Sequence, residues 1–458
     1  MTSASTLPPV DQLRNEFGSR LIGPDDDRYD AARQLFPGGF DRKPAALVRP
    51  TSATEVARVI RVARETGAEL SVKSGGHGLL GHSVAEDGIV LDLAELNALE
   101  IDVDSRTAWA QTGLKAGEYT KAAGEHGLAT GFGDAGTVGI GGITLGGGVG
   151  FLSRKYGLTI DEVLAAEVVT ADGEILQVDE ENHPDLFWAI RGGGGNFGVV
   201  TRFKYRLREV PEVVGGMLFL PATPEVIAGF VEAADAAPRE LSTILNVMTA
   251  PPMPFVPEEL HGQLVAMAMM CFAGTAEAGG RALQPFRELA EPIRDMVAPI
   301  TYPEMYPPEE GGEEFHPVAA GRNLFVDGVD EKAAAMIIET LSESDAIMRV
   351  TQLRVLGGAI ADVPADATAY GHRGERIMAN LAAFCATPEE KPAREAWVSE
   401  YAERLAGDRQ PSYVNFAYHE DDDLLERAYP GQTLERLREV KRRYDPDNLF
   451  RHNLNIAP

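Results

Sequence analysis

Apolar and polar positions along this chain fall into two textures. In the first half, Val56, Val59, Ile60 and Ala63 recur at helical spacing after the start signal Pro50-Thr51-Ser52, and Gly67 closes the segment. Short apolar runs predict strands over 69–73, 88–93 and 107–111, and residues 115–126 predict a helix stopped at Gly127. Two further runs, 164–170 and 174–178, predict a hairpin around Ala171-Asp172-Gly173. Asp185 is placed to cap a short helix over 186–190, and a strand with alternating polar residues follows at 199–207.

Near Val210-Pro211 the texture changes. From there the chain alternates apolar strands (216–220, 242–249, 264–272, 347–356, 376–385) with helices (224–236, 276–289, 331–342, 389–406). This predicts an α+β domain built on an antiparallel sheet. Proline-rich loops at 251–257 and 299–316 are expected to form a site or to be mobile. The end of the chain predicts a strand over 413–418 and an amphipathic helix over 434–444, broken at Asp445-Pro446.

Between the strands of the first half lie three glycine-rich segments. The first is Lys73-Ser74-Gly75-Gly76-His77-Gly78-Leu79-Leu80-Gly81. Glycines of this density let backbone N–H groups approach a ligand with no Cβ in the way, and can cradle a phosphate. On these residues alone, a glycine turn with an incidental histidine reads equally well. The second segment, 131–150, holds ten glycines and is expected to be too glycine-rich for a helix and too apolar for a solvated linker. Backbone packed against a flat ligand accounts for both features, and a hinge is the alternative. Within it Gly131 to Gly136 fits GxGxxG, but a helix precedes it and none clearly follows, so a dinucleotide fingerprint is rejected. The third is Arg191 to Gly198. One long, flat, phosphate-bearing ligand such as FAD would explain all three.

Composition narrows the partners. Hydrophobic residues at 44% and charged residues at 24% describe an ordinary soluble domain, so core formation is not limiting. The 42 basic against 70 acidic residues leave a net charge of −28, which argues against nucleic acid and anionic membranes as partners. No apolar run reaches the roughly 18 residues of a membrane span, and the start of the chain does not read as a signal peptide. Cys271 and Cys385 both lie in apolar runs and are expected to be buried free thiols. No Cys/His cluster has metal-ligand spacing, so no metal is expected. The expected location is cytoplasmic. A homodimer is possible.

Four motifs in order resemble those of the vanillyl-alcohol oxidase/p-cresol methylhydroxylase flavoproteins, in their berberine-bridge-enzyme-like branch. They are the Lys73 to Gly81 segment followed by Gly88 to Leu93, the Thr137 to Gly150 segment, Asp185 to Gly198, and a tail with Tyr413-Val414-Asn415 and Tyr444-Asp445-Pro446-x-Asn448-x-Phe450 through Asn455 to Pro458. The resemblance covers residues 45–210 and the last 45 or so, and is weak between them. It implies an α+β fold with a two-part FAD-binding domain: 1–210, then an inserted substrate domain over 211–410, then a C-terminal element over 411–458 that completes the FAD domain. It implies an FAD-dependent oxidoreductase, an oxidase that moves hydride from a C–H next to nitrogen or oxygen of a small molecule and reduces molecular oxygen to hydrogen peroxide. The alternatives are a dehydrogenase for an alcohol or sugar with another acceptor, and a flavin-binding protein without turnover.

The resemblance also implies that His77 is bonded covalently to the flavin, which makes the ring a stronger and fixed oxidant. Many members add a second link from a cysteine; here that place holds Ala135, so a single link is expected. Cofactor contacts are expected from Lys73, Ser74, Gly75, Gly76, Gly78, Gly81, Thr137, Val138, Gly141, Gly142, Thr144, Gly147, Gly148, Gly194, Asn196, Gly198, Val199, Val200, Tyr413, Asn415, Asn453 and Asn455. Members often carry Tyr-x-Asn-Tyr in the tail with the last tyrosine as base; here the run is Tyr413-Val414-Asn415-Phe416, and a phenyl ring has no proton to trade. That tilts the expectation towards a C–N substrate, whose lone pair helps expel hydride. Tyr418, placed on the face of Phe416 if the tail is a strand, and His372 are the candidate catalytic residues; an ordinary strand tyrosine and a structural loop histidine are the alternatives. Tyr302, Tyr306, Arg354, Asn380 and Phe416 are the candidate substrate residues.

Overall fold

A computed structural model describes residues 10–250, 252, 257–306, 316–407 and 410–458. Most of the proline-rich loop expected at 251–257, and the stretch 307–315 of the other, lie outside the described residues. The fold is mixed α+β, as the patterning indicated, and three sheets carry it.

The helix Ala53–Thr66 forms where the apolar spacing placed it. Ser52 accepts a hydrogen bond from Glu55 N at one end, and Gly67 turns left-handed (φ 68°) at the other. Its buried stripe, Val56, Val59, Ile60 and Ala63 among others, covers a small sheet in which Ala46–Val48 and Leu70–Lys73 both lie parallel to Ile89–Asp92. A second, fully antiparallel sheet runs Leu99–Asp102, Thr107–Gln111, Val199–Arg206, Val163–Val169, Ile175–Val178. The glycine segments occupy the loops around these two sheets.

The third sheet has eight strands, all antiparallel, from Val213–Pro221 to Ile377–Phe384 in the chain. One face is apolar: Leu245, Val247, Ala266, Ala268, Leu353, Ala379 and Leu381 pack under the helices Pro224–Ala236, Ala276–Arg287, Glu331–Glu343 and Lys391–Ala406. The opposite face carries Asn323, Asn380, Gln352 and Asn246, which sit directly opposite one another on four neighbouring strands. Side chains alternate across a strand, so a polar residue at each of these positions makes a polar row on one face.

The structure departs from the sequence pattern at four places. The strand Ala319–Val326 was not legible, because Gly321, Arg322 and Asn323 interrupt its apolar run. Asp185 does not cap the helix Pro184–Ala189; His183 holds that position in a left-handed conformation, and Asp185 pairs instead with Arg443 and Tyr444. The tail segment expected as a strand is a short 3-10 turn, Val414–Phe416, so the same-face argument for Tyr418 fails, although the residue still reaches the polar face.

The second glycine segment, expected to be too glycine-rich for a helix, contains one, Ile140–Gly146. Glycine is a poor helix former, by roughly 1 kcal/mol each against alanine, and here close packing requires it. A Cβ on Gly141 would press on Thr112 and on Ser74 Oγ, and one on Gly146 would overlap Asn415 Oδ1. Asn415 cannot retreat, since its Nδ2 donates to Ile143 O (3.0 Å) and to the Tyr413 hydroxyl (2.8 Å). Gly146→Ala is therefore expected to destabilise the fold by about 1–3 kcal/mol, the cost of overpacking. A denaturant midpoint unchanged from wild type would show that the helix can shift to make room.

The tail is clamped to the third glycine segment. Lys441 and Asp445 form a fully buried ion pair (2.6 Å), and Lys441 Nζ also donates to Asn196 O and Phe450 O. Among the described residues, no helix is long and apolar enough to cross a membrane. Cys271 and Cys385 are both free and buried.

Candidate functional site

The three glycine segments converge. Gly75 and Gly139 meet so closely that a Cβ on either would strike the other's backbone nitrogen. Ser74 Oγ donates to Thr112 O (2.5 Å), and the hydroxyl of Thr112 donates to Val200 O (2.7 Å), which ties the first segment to the strand Val199–Arg206. Gly192 N and Gly194 N both donate to Leu145 O (3.0 Å), which brings in the third. Among the described residues, the amides of Gly75, Gly76, His77, Gly78, Gly141 and Gly142 donate to no protein acceptor. A Cβ on Gly142 would meet open space, and one on Gly78 would meet nothing closer than 4.0 Å. A row of unspent N–H groups bordering open space is what a diphosphate needs.

His77 stands at the centre. Its ring stacks on Phe36 (centroids 4.4 Å apart, planes within 11°). Burial, with the Lys115 charge adding to it, pushes its pKa down to about 4, against a hydrogen bond to the Thr137 backbone that acts the other way. The imidazole is therefore neutral at neutral pH, with a nucleophilic lone pair. Further along, Tyr413 hydroxyl accepts from Gly148 N (2.7 Å) and from Asn415 Nδ2. Asn453 and Asn455 in the tail keep buried carbonyl oxygens without a partner, as do the hydroxyls of Tyr370 and Tyr429. These unspent polar atoms, the glycine cradle and a neutral histidine fit a flavin dinucleotide.

Several expected cofactor contacts have other work. Lys73 Nζ donates to Ala32 O (2.6 Å), Thr144 Oγ1 bonds Ile140 O and Tyr205, and Gly81 packs on Phe40. Val138 O accepts from Ala116 N, while Gly198 and Val199 lie along Val169, and Gly147 lies against the rings of Tyr370 and Tyr413. Asn196 is spent on the chain: Nδ2 donates to Gly193 O and Leu454 O, and Oδ1 accepts from Ile456 N. It shapes the site by holding the tail.

Across from this cradle lies the polar row of the large sheet. Arg354, 4% exposed, sends Nη2 to Asp134 Oδ2 (2.7 Å), and Nε and Nη2 to Gln352 Oε1 (2.9 and 2.8 Å). Its guanidinium lies 5.0 Å from the centroid of Phe416. Gln352 Nε2 in turn donates to Asn246 Oδ1 (2.9 Å). Asn380 Nδ2 donates to the Tyr418 hydroxyl (3.2 Å). Burial raises the Tyr418 pKa, while the Asn380 bond and the Arg354 charge oppose the rise. The phenol thus has an amide and a cation beside it to stabilise its anion.

The other candidates are placed differently. Tyr302 and Tyr306 are buried and joined hydroxyl to hydroxyl (2.9 Å), and Tyr306 spends its proton on Gly133 O (2.8 Å). They brace the loop that carries Asp134. His372 is buried, with Nε2 beside Ala428 O (3.0 Å) and its ring stacked on Phe325. Asp134, Gln352 and Asn246 were not singled out from sequence. Asp134 lies inside the rejected GxGxxG match, and the other two gain meaning only from strand register.

Comparison with known proteins agrees with this geometry. Residues 44–179 match the family model for an FAD binding domain, and residues 412–457 match the berberine and berberine-like model. The chain is 30% identical over 454 residues to (R)-6-hydroxynicotine oxidase of Paenarthrobacter nicotinovorans, covering 96% of each chain. The crystal structure of 6-hydroxy-D-nicotine oxidase from Arthrobacter nicotinovorans superposes with a TM-score of 0.83 at 27% identity, over 96% of this chain and 97% of that one. Glucooligosaccharide oxidase from Acremonium strictum, which carries a 6-S-cysteinyl, 8α-N1-histidyl FAD, shares the fold with a TM-score of 0.85 at 23% identity, over 98% of this chain and 99% of that one.

Proposed function

The chain belongs to the FAD-linked oxidoreductases of the berberine-bridge type, and from that premise we propose a small-molecule oxidase that holds FAD covalently through His77 alone. The observation that carries this reading is the neutral, stacked imidazole set among unspent glycine amides. Bound there, FAD would take hydride from a C–H next to nitrogen or oxygen and pass the electrons to oxygen as hydrogen peroxide.

The protein's own part is to bind, orient and move a proton. The amides of Gly75 to Gly78 and of Gly141 and Gly142 would hold the diphosphate, and Asn453 and Asn455 would offer acceptors to the rest of the cofactor. In the glucooligosaccharide oxidase the FAD is held by a cysteine and a histidine. Here Ala135 stands two residues before Thr137, and both cysteines are buried in or beside strands of the large sheet, which supports one link. Tyr418 is the base: its oxygen takes the substrate's proton, stabilised by Asn380 Nδ2 and the Arg354 charge. Arg354, Asn380 and Phe416 form the wall on which the substrate rests. The division at residues 210 and 410 is retained, supported by the large sheet lying wholly between them. The free thiols support a reducing, cytoplasmic setting.

Oxygen consumption with a panel of alcohols, sugars and amines tests the function. Peroxide formed in step with substrate supports it, and a flavin that no compound bleaches sinks it. Attachment should also show the histidine's pKa. Only the neutral imidazole has the free lone pair that a link to the flavin would need, and a pKa lowered to about 4 keeps it neutral down to mildly acidic pH. Covalent incorporation of FAD into apoprotein, read as flavin fluorescence in a denaturing gel, is expected to hold its rate to about pH 5 and to halve near pH 4. A midpoint near about 6.5, the value of a free imidazole, would contradict the buried, neutral state.

A further inference from the structure

Arg354 is pinned on three sides. Asp134 takes Nη2, Gln352 takes Nε and Nη2, and the ring of Phe416 covers its face. Gln352 is itself held by Asn246, so the whole fork is immobile. Yet Nη1, buried with the rest, has no partner. On the neighbouring strand Asn380 sits opposite Gln352, on the same face as Arg354, and its Oδ1 is also buried and unpartnered. The site therefore presents one fixed donor edge and one fixed acceptor beside the Tyr418 hydroxyl. Unmet buried hydrogen-bonding groups are costly, and a ligand that supplies the complement relieves both.

Resting on the oxidase reading above, we propose that Arg354 Nη1 and Asn380 Oδ1 are the substrate anchor, and that the substrate is a neutral or anionic hydroxy compound carrying a second oxygen. The hydroxyl rests with its one proton donated to Asn380 Oδ1 and turns that proton to the Tyr418 oxygen when the phenol is ionised. The second oxygen (carboxylate, carbonyl or another hydroxyl) accepts from Arg354. An ammonium in that place has no lone pair to accept from Nη1 and would leave that buried donor unmet, the guanidinium's charge being already paired with Asp134. Asp134 acts as a positioning residue that orients the fork. Phe416 alone pointed towards C–N substrates; Tyr418 removes that argument by supplying the missing proton acceptor.

Three probes on one skeleton test this with the flavin-loaded enzyme: mandelate, 1-phenyl-1,2-ethanediol and 2-amino-1-phenylethanol. Each carries the same hydroxyl, with a carboxylate, a hydroxyl or an ammonium beside it. Binding is read from the flavin absorbance at equilibrium without oxygen, using initial spectra so that turnover does not enter. Mandelate and the diol are expected to bind about ten-fold more tightly than the amino alcohol. Arg354→Gln should weaken mandelate by roughly ten-fold or more while leaving the amino alcohol unweakened, and Arg354→Lys should recover part of the loss. Asp134→Asn, which keeps an oxygen to accept from Nη2 but loses the charge, should weaken mandelate by less than Arg354→Gln does, with flavin loading as in wild type. Should Arg354→Gln fail to load flavin, Arg354→Lys and the wild-type ranking decide the matter. The proposal falls if the amino alcohol binds as tightly as mandelate and the diol, if Arg354→Gln leaves mandelate unaltered, or if none perturbs the flavin at about 10 mM, well above the range of weak specific binding. Failure of the oxidase reading looks different: a flavin that no substrate of the wider panel reduces.

Discussion

Replacing His77 by alanine is expected to move the yellow colour from the acid-precipitated polypeptide into the supernatant. In the wild type the flavin should stay with the denatured chain. The expectation rests on two properties of one ring. It is neutral because burial and Lys115 hold its pKa near about 4, and it is immobile because Phe36 stacks on it and the Thr137 backbone hydrogen-bonds it. A nucleophile that is both unprotonated and fixed needs no base to free its lone pair. Ala135 offers no thiol for a second attachment. The variant should still bind FAD, since the glycine amides are untouched. Turnover should fall by about ten- to a hundred-fold, because the imidazole no longer withdraws electrons from the ring and each factor of ten is only about 1.4 kcal/mol of barrier. Free FAD released from acid-denatured wild type would end the covalent reading at once.

Tyr418→Phe is expected to lower kcat by about 10²- to 10⁴-fold, the range for losing a positioned acid–base group, with KM changed little. The phenol's pKa is raised by burial, so the neutral form dominates at neutral pH and the phenolate gains only as the solution becomes alkaline. In the wild type kcat should therefore climb towards alkaline pH, and in the variant that limb should be flat. The flavin content and its spectrum should match wild type, because Tyr418 meets the sheet and not the cradle: its ring covers Gly321 and its hydroxyl meets Asn380. A kcat within a few-fold of wild type would return the role of base to another group.

The cofactor side of this protein was largely legible in the chain. The helix Ala53–Thr66, its cap at Ser52, the strand Leu70–Lys73 and the histidine that follows are local facts: periodicity, a capping oxygen and a glycine turn act over a few residues. His77 was the foremost cofactor residue from sequence, and the structure surrounds it with unspent amides. The helix Ile140–Gly146 is not legible in the chain, because glycine's poor helix propensity is a local signal and the packing that requires glycine there is not. Its glycines are there to admit Thr112, Ser74 and Asn415, which approach from distant parts of the chain.

The substrate side was not legible in the same way. Arg354, Asn380 and Tyr418 are candidates from sequence, but their roles come from partners 38 and 220 residues away in the chain: Tyr418 for Asn380, Asp134 for Arg354. The row Asn323, Asn380, Gln352, Asn246 exists only because four strands pair in one register, and a slip of one residue would turn each strand's polar side chain under the helices. Local chemistry is written in neighbouring residues, so the amino-acid order is enough to point to a flavin cradle with a histidine inside it. Which charge and which free hydrogen-bonding atoms face the substrate depends on contacts between segments far apart in the chain, which exist only through the tertiary pairing of the large sheet and its contact with the Asp134 loop.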